Sequence, residues 1–143
     1  MGQNYERSDK KLWVNLRFEP PIMIKFNRFT DSTPFEAADL TEIRELLHPR
    51  NDDVELPYSI AHATVQPGRA SVPHILEESS EAYHILSGTG RAYIGAQIYD
   101  MHPGDTVLIP AGVRQYIECS GTEPLTFLCV VAPPYEVTKD RRV

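Results

Sequence analysis

An all-β fold, closed into a sandwich or barrel, is what this sequence predicts, and two observations carry that reading. Twelve prolines and eight glycines punctuate the 143 residues, and the segments between them are short and rich in Val, Ile, Tyr and Thr, the pattern of many short strands rather than strands alternating with long helices. Taken in order, the candidate strands are Leu12–Phe18, Ile22–Phe29, Tyr58–Gln66, Ala82–Leu86, Arg91–Ile94, Gln97–Met101, Thr106–Ile109, Arg114–Glu118 and Thr126–Val131. Turn residues separate them at Ile94-Gly95-Ala96, His102-Pro103-Gly104 and Ser120-Gly121-Thr122. The stretch 39–47 carries two readings. Asp39-Leu40-Thr41-Glu42 has the spacing of a capping box for a short helix through Leu47, and a strand there fits an all-β chain equally well.

The residues with the most information lie between Gly68 and Cys119. Gly68 is followed after five residues by His74, then by Glu81 and Gly88; Gly104 is followed after five residues by Pro110, then by Gly112. These spacings resemble the two-part signature of the cupin family, which reads Gly, five residues, His, one, His, three or four, Glu, six, Gly, and then Gly, five residues, Pro, one, Gly, two, His, three, Asn. The resemblance implies a double-stranded β-helix, or jelly-roll barrel, with N-terminal extension strands. It covers about residues 58–133, present in one copy, so the chain is expected to be one domain (1–143) with its barrel core at 58–133 and an extension at 1–57. Three positions depart from the family pattern: Leu76 stands at the second histidine, Gln115 at the histidine of the second part and Cys119 at the asparagine.

Alternation along a strand turns this resemblance into a list of inward residues. If Glu81 points inward, as the family motif implies, so do Tyr83 and Ile85, and His84 faces away. Cupins with a polar pocket residue on the strand before the first motif often carry it three positions before the Pro-Gly pair, here Thr64, which places His62 and Ile60 on the same inward face. A hairpin centred near Thr122 would set Gln115 opposite Cys129, so that Cys129 lines the pocket, and would leave Cys119 about 13 Å from Cys129 at ~3.3 Å per residue, beyond disulfide reach. Both cysteines are therefore expected as thiols.

Cupin metal sites, by this resemblance, gather imidazole and carboxylate donors around a divalent transition metal such as Fe, Mn, Ni, Co or Zn. His74 and Glu81 are the two standard donors retained. Gln115 offers an amide oxygen and His62 a neighbouring imidazole, giving the candidate set His62, His74, Glu81 and Gln115. The other reading is a polar, metal-free cavity in which His74 and Glu81 hydrogen-bond each other and Tyr83, with Leu76 closing the space and His62 a core histidine whose partners are protein groups. The resemblance implies dioxygenase, isomerase, lyase or decarboxylase chemistry on a small oxygen-rich molecule such as a keto acid, phenol or sugar derivative, with Tyr83 or Glu81 moving a proton. Thr64, Tyr83 and Cys129 are the ligand-binding candidates. A binding module without catalysis is the alternative.

Charge and hydropathy narrow the partners. A formal charge of −6 disfavours nucleic-acid and anionic-membrane surfaces, both of which need a clustered basic face. The chain has no apolar run near the length of a membrane span, and its polar N-terminus does not read as a signal peptide, so the cytoplasm is expected. Gly88-Thr89-Gly90 opens no helix and reads as a β-turn rather than a phosphate loop. No Gly-x-Ser-x-Gly or Cys-x-x-Cys motif occurs. The apolar stretches Leu12-Trp13-Val14 and Ile22-Met23-Ile24 would add an exposed sheet edge, and the resemblance to small single-barrel cupins implies a homodimer that covers it.

Overall fold

The computed structural model describes residues 23–143, which form two antiparallel sheets packed face to face. The six-stranded sheet runs in the order β1 (Phe35–Glu36), β2 (Glu42–Leu47), β3 (Ser59–Val65), β10 (Leu125–Ala132), β5 (Ser80–Ser87), β8 (Thr106–Ile109). The five-stranded sheet runs β11 (Asp140–Arg142), β4 (His74–Leu76), β9 (Gln115–Cys119), β6 (Gly90–Ile94), β7 (Gln97–Met101). From β3 onward the chain keeps crossing between the sheets, and β6 and β7 form the one tight hairpin of that stretch, across Gly95-Ala96 with Gly95 at a φ of +56°. The all-β double-sheet architecture expected from the sequence is the architecture found.

Alternation within each strand decides what the two sheets enclose. Ile85 and Ile109 of one sheet meet Ile117 of the other, with Leu125 and Phe127 beside them, and all five are at most 2% exposed. Burying a side chain of this size contributes about 1.5–3 kcal/mol, so this apolar cluster holds the sheets together. It fills one end of the sandwich. Toward the other end the same strands turn in Ala61 and Ala63 from β3, and Glu81 and Tyr83 from β5, and small side chains there leave space that bulky ones would fill.

Four strands were not foreseen as such: β1, β4, β11 and, within the undecided stretch, β2. Pairing with β3 makes 42–47 a strand, matching Glu42 to Thr64 and Arg44 to His62. The local sequence agrees with it: Asp39 Oδ1 accepts from the Thr41 backbone N–H at 3.1 Å, and Leu40 sits at a φ of +66°, a turn that ends any helical path before Glu42. A short α-helix, Pro49–Asp52, is capped by the His48 ring, which accepts from the Arg50 N–H.

Two expectations are corrected. Leu12–Phe18 lies outside the described residues, but the described part of Ile22–Phe29 is not a strand: Met23–Phe26 are exposed and a 3₁₀ turn follows at Phe29–Asp31. Its backbone finds no neighbouring strand among the described residues, and the Asn27 side chain instead bonds the Leu46 carbonyl and Asp52. The second correction concerns β9 and β10, which do not form a hairpin. Gln115 pairs with His74 and Ile94, and Cys129 with Ala61 and Tyr83, because Ser120–Pro124 carries the chain from one sheet to the other. Cys119 and Cys129 are both buried free thiols, and the Cys119 thiol faces the Glu123 carbonyl at 3.1 Å. No helix of the described residues is long and apolar enough to cross a membrane.

Candidate functional site

At the end of the sandwich away from the apolar cluster lies a cavity of about 310 Å³, lined by His74, Glu81, Tyr83 and Cys129 together with Ala61, Ala63 and Val131. Each polar group has a structural reason to be there. His74 opens β4 and makes that strand's single pairing with β9, directly beside Gln115. Glu81 and Tyr83 alternate on β5, and Cys129 is paired with Tyr83 on β10. Gln115 sits just behind, 1% exposed. It joins the two sheets: its amide nitrogen donates to the Glu81 carboxylate and, at 2.8 Å, to the Tyr83 hydroxyl oxygen.

Hydrogen-bond roles follow from what each atom can do. The Val72 carbonyl can only accept, so His74 Nδ1 donates to it at 2.8 Å, which fixes the ring and leaves Nε2 as the atom that differs between charged and neutral imidazole. Tyr83 Oη accepts from Gln115, and its own proton has no acceptor among the described residues, so it is available to a bound molecule. Burial drives the acidities. It pushes the Glu81 carboxyl up to about 7, against a smaller lowering by His74 and the Gln115 bond. Burial, helped by the neighbouring Glu81 charge, holds both the Tyr83 phenol and the Cys129 thiol well above their ordinary ranges, so both remain protonated donors.

His62 and Thr64 are placed elsewhere, which corrects the expected parity of β3. Ser59, Ala61 and Ala63 line the cavity and Val65 joins the apolar core, so His62 and Thr64 face the other side, whereas Ile60, also expected inward, is among the lining residues. His62 packs edge-on against Phe29, ring centroids 5.0 Å apart, with the Arg44 guanidinium 4.9 Å over the same Phe29 ring. Burial and the Arg44 charge push the pKa of His62 down. Thr64 lines a separate surface groove with Phe35, Leu40 and Arg69. The physical reason is a one-residue slip, which moves a whole strand's side chains to the opposite face. His84 is outward as expected, bonded to Thr106 at 2.7 Å.

The donor set does not fit the expected four-ligand metal centre. Among the described residues, no three His, Cys, Asp or Glu side chains converge as a metal site. His74 and Glu81 supply two donors, Gln115 turns its NH₂ rather than its oxygen toward the carboxylate, and Leu76 is a buried apolar group.

Sequence reasoning missed the outer half of the cavity: Asp39, Thr41, His48 and Tyr135. His48 Nε2–H donates to the Tyr135 carbonyl at 2.9 Å while its Nδ1 accepts from Arg50, and the Tyr135 hydroxyl donates to Asp140 at 2.8 Å. Asp39 and Thr41 sit in the stretch whose helix and strand readings balanced, so no face could be assigned to them from sequence.

A double-sheet barrel with a polar cavity at one end is the cupin architecture, and the chain belongs to the cupin family. The Cupin domain family model matches residues 61–131, and the uncharacterised protein MJ1618 of Methanocaldococcus jannaschii is 37% identical over 102 residues, 71% of this chain and 81% of that protein. Among solved structures, the fold is similar to a Lactobacillus farciminis oxalate decarboxylase in a formate complex (TM-score 0.70, 24% identity, 80% of this chain), of which the chain spans 34% of the length. It is also similar to the Streptomyces nucleoside dehydratase Pac13 (TM-score 0.68, 18% identity, 85% of this chain and 92% of that one).

Proposed function

We propose that this protein is a small cupin enzyme that moves a proton on a small oxygen-rich molecule, chemistry of the isomerase or lyase type, with Glu81 as acid and base and Tyr83 as the donor to a ligand oxygen. One observation carries the reading: Glu81 is buried in a cavity with its carboxyl pushed up to about 7. A carboxyl poised there is populated in both protonation states near neutrality, the condition for giving and taking a proton in one cycle. In the first step the Glu81 carboxylate takes a proton from the ligand, and negative charge develops on a ligand oxygen. The Tyr83 phenol, kept protonated, donates a hydrogen bond to that oxygen, and Gln115 holds both groups in register. Glu81 then returns its proton to a different atom of the ligand (isomerisation) or to a departing hydroxyl (elimination).

The metal-assisted route would require Fe, Mn, Ni, Co or Zn to be held by His74 and Glu81 with further donors, and the donor set supports it less well. Proton-transfer chemistry needs none of those donors. The likeness to a decarboxylase and a nucleoside dehydratase, each under 25% identical, supports the fold of the reading rather than its substrate.

Carbon-13 NMR of the protein labelled in its Glu carboxyls tests this directly. One carboxyl is expected to titrate with a midpoint near 7, and its signal is expected to vanish in Glu81→Gln. Metal content of untagged protein is measured alongside. A Glu81 midpoint in the ordinary carboxylate range overturns the proposal, and one metal per chain lost on His74→Ala restores the metal-assisted reading.

A further inference from the structure

The outer half of the cavity carries information about what the site accepts. Thr41 is 2% exposed, lines the cavity, and its hydroxyl has no hydrogen-bond partner among the described residues. A buried hydroxyl left unpaired costs about 1–3 kcal/mol in general, so native structures seldom keep one without a use. A bound molecule is one such use.

The turn that carries it is unusual in the same way. Leu40 holds a φ of +66°, a left-handed conformation that non-glycine residues adopt at a cost and that clusters at ligand sites. Three contacts fix the turn: Ala37 N–H donates to the Thr41 carbonyl at 2.8 Å, Val72 N–H donates to the Asp39 carbonyl at 2.7 Å, and Asp39 Oδ1 accepts from Thr41 N–H. The result presents the Asp39 carboxylate and the Thr41 hydroxyl together at the cavity.

Charge limits the ligand further. The cavity wall includes Glu36, Asp39, Glu45, Glu81 and Asp140, against a single Lys or Arg side chain among the described lining residues, Arg50. That guanidinium lies 4.0 Å from Glu45, and the charge of Asp39 reaches Glu81, Tyr83 and Cys129. A carboxylate or phosphate ligand would face these five carboxyl groups with only Arg50, already beside Glu45, and the imidazoles of His48 and His74 as basic lining groups, and burying an anion without a full counter-charge is expensive. An alcohol both donates and accepts, so it satisfies a carboxylate and a threonine hydroxyl at once.

We propose that Asp39 and Thr41 form the specificity end of this cavity and receive hydroxyl groups of an uncharged polyhydroxylated molecule, of the sugar or nucleoside class, in preference to an organic acid. This rests on the cavity being the site described above. It narrows the ligand from any oxygen-rich molecule to an uncharged one.

The test is direct binding, read by calorimetry and thermal shift, of uridine, D-xylose and myo-inositol against oxalate, pyruvate and putrescine, with Thr41→Val and Asp39→Asn as variants. At least one uncharged compound is expected to bind more tightly than the acids and the amine. Thr41→Val is expected to weaken that compound about tenfold, the loss of one hydrogen bond, while leaving the ligand-free melting temperature unchanged or higher, because it removes an unpaired buried hydroxyl. Asp39→Asn keeps an acceptor for the Thr41 N–H and is expected to narrow the gap between the uncharged compound and oxalate.

Tighter binding of oxalate, pyruvate or putrescine, or no binding of any uncharged compound at millimolar concentration, overturns the proposal. So does a Thr41→Val protein that is less stable yet binds normally, since that hydroxyl would then be structural. An unchanged ratio in Asp39→Asn counts against it equally. Binding is read without turnover, so the Glu81 titration can fail while this result stands, and the converse also holds.

Discussion

Glu81 is where burial and function pull in opposite directions. Transfer of a carboxylate out of water raises its pKa, and here desolvation outweighs the neighbouring His74 and the Gln115 bond, taking the group from 4.5 to about 7. The consequence for stability has a definite sign. Between pH 4.5 and 7 the folded protein holds a proton that the unfolded chain has released, so stability is greatest below that window and falls as the pH rises through it. A shift of this size corresponds to a loss on the order of 3 kcal/mol across the window. Denaturant titrations of the native protein at pH 5 and pH 8 are therefore expected to differ by a few kcal/mol more than those of Glu81→Gln, which cannot ionise. Equal pH dependence in the two proteins would assign the burial cost to another group. Gln115 shows why an amide at a motif position need not be a damaged histidine: its NH₂ group bonds an acceptor on each of two side chains, Glu81 and Tyr83, which a neutral imidazole with one N–H could not do.

Elements were legible where punctuation and alternation agreed. Gln97–Met101 and Thr106–Ile109 stand as the sequence alone places them, and Tyr58–Gln66 shortens only to Ser59–Val65, because proline and glycine bracket apolar alternation there. What a strand cannot declare is which of its faces goes inside when both carry mixed residues. In Ser59–Val65 the polar His62 and Thr64 are the residues a polar pocket would be expected to use, yet Ala61 and Ala63 face inward, since a cavity is made by small side chains as much as by polar ones. The Asp39–Thr41 turn was illegible for a different reason: its conformation depends on Val72 and on β3, both distant in sequence. The turn after β5 was legible as a turn, and the structure adds its energetics. Gly88 has a φ of +75°, and a Cβ there would lie 2.4 Å from the Pro124 carbonyl oxygen and 2.9 Å from Leu125 Cα, both backbone atoms of the crossing segment. Neither can move without shifting the start of β10. Gly88→Ala should then combine left-handed strain with a steric clash, each about 1–3 kcal/mol. Chemical denaturation is expected to show a loss near 3 kcal/mol or more, against less than about 0.5 kcal/mol for a substitution at an exposed surface position.

At the scale of the whole molecule, the two sheets bury one face each and leave edges that must be managed. Strand β8 ends the six-stranded sheet, paired only with β5 among the described residues, and Leu108 on it is 66% exposed, with Leu86 of the neighbouring strand 43% exposed. Met23, Ile24 and Phe26 add exposed apolar area where the described chain begins, while Leu12-Trp13-Val14 and Ile22, part of the reason a dimer was expected, lie outside the described residues. An unpaired edge with apolar side chains is a template for another strand, and a twofold axis lets one such edge serve two copies at once, since the same patch is used by both. We therefore expect a homodimer, with β8 and its apolar neighbours at the contact. Light scattering on the eluting peak at micromolar concentration is expected to give twice the chain mass of 16.2 kDa, and Leu108→Lys, which places a charge on that edge without touching the cavity, is expected to shift the peak toward the single-chain mass with its fold intact by circular dichroism. A single-chain mass for the native protein would mean that the edge is protected within one copy, and a Leu108→Lys protein that stays dimeric would move the contact to the face bearing Met23, Ile24 and Phe26.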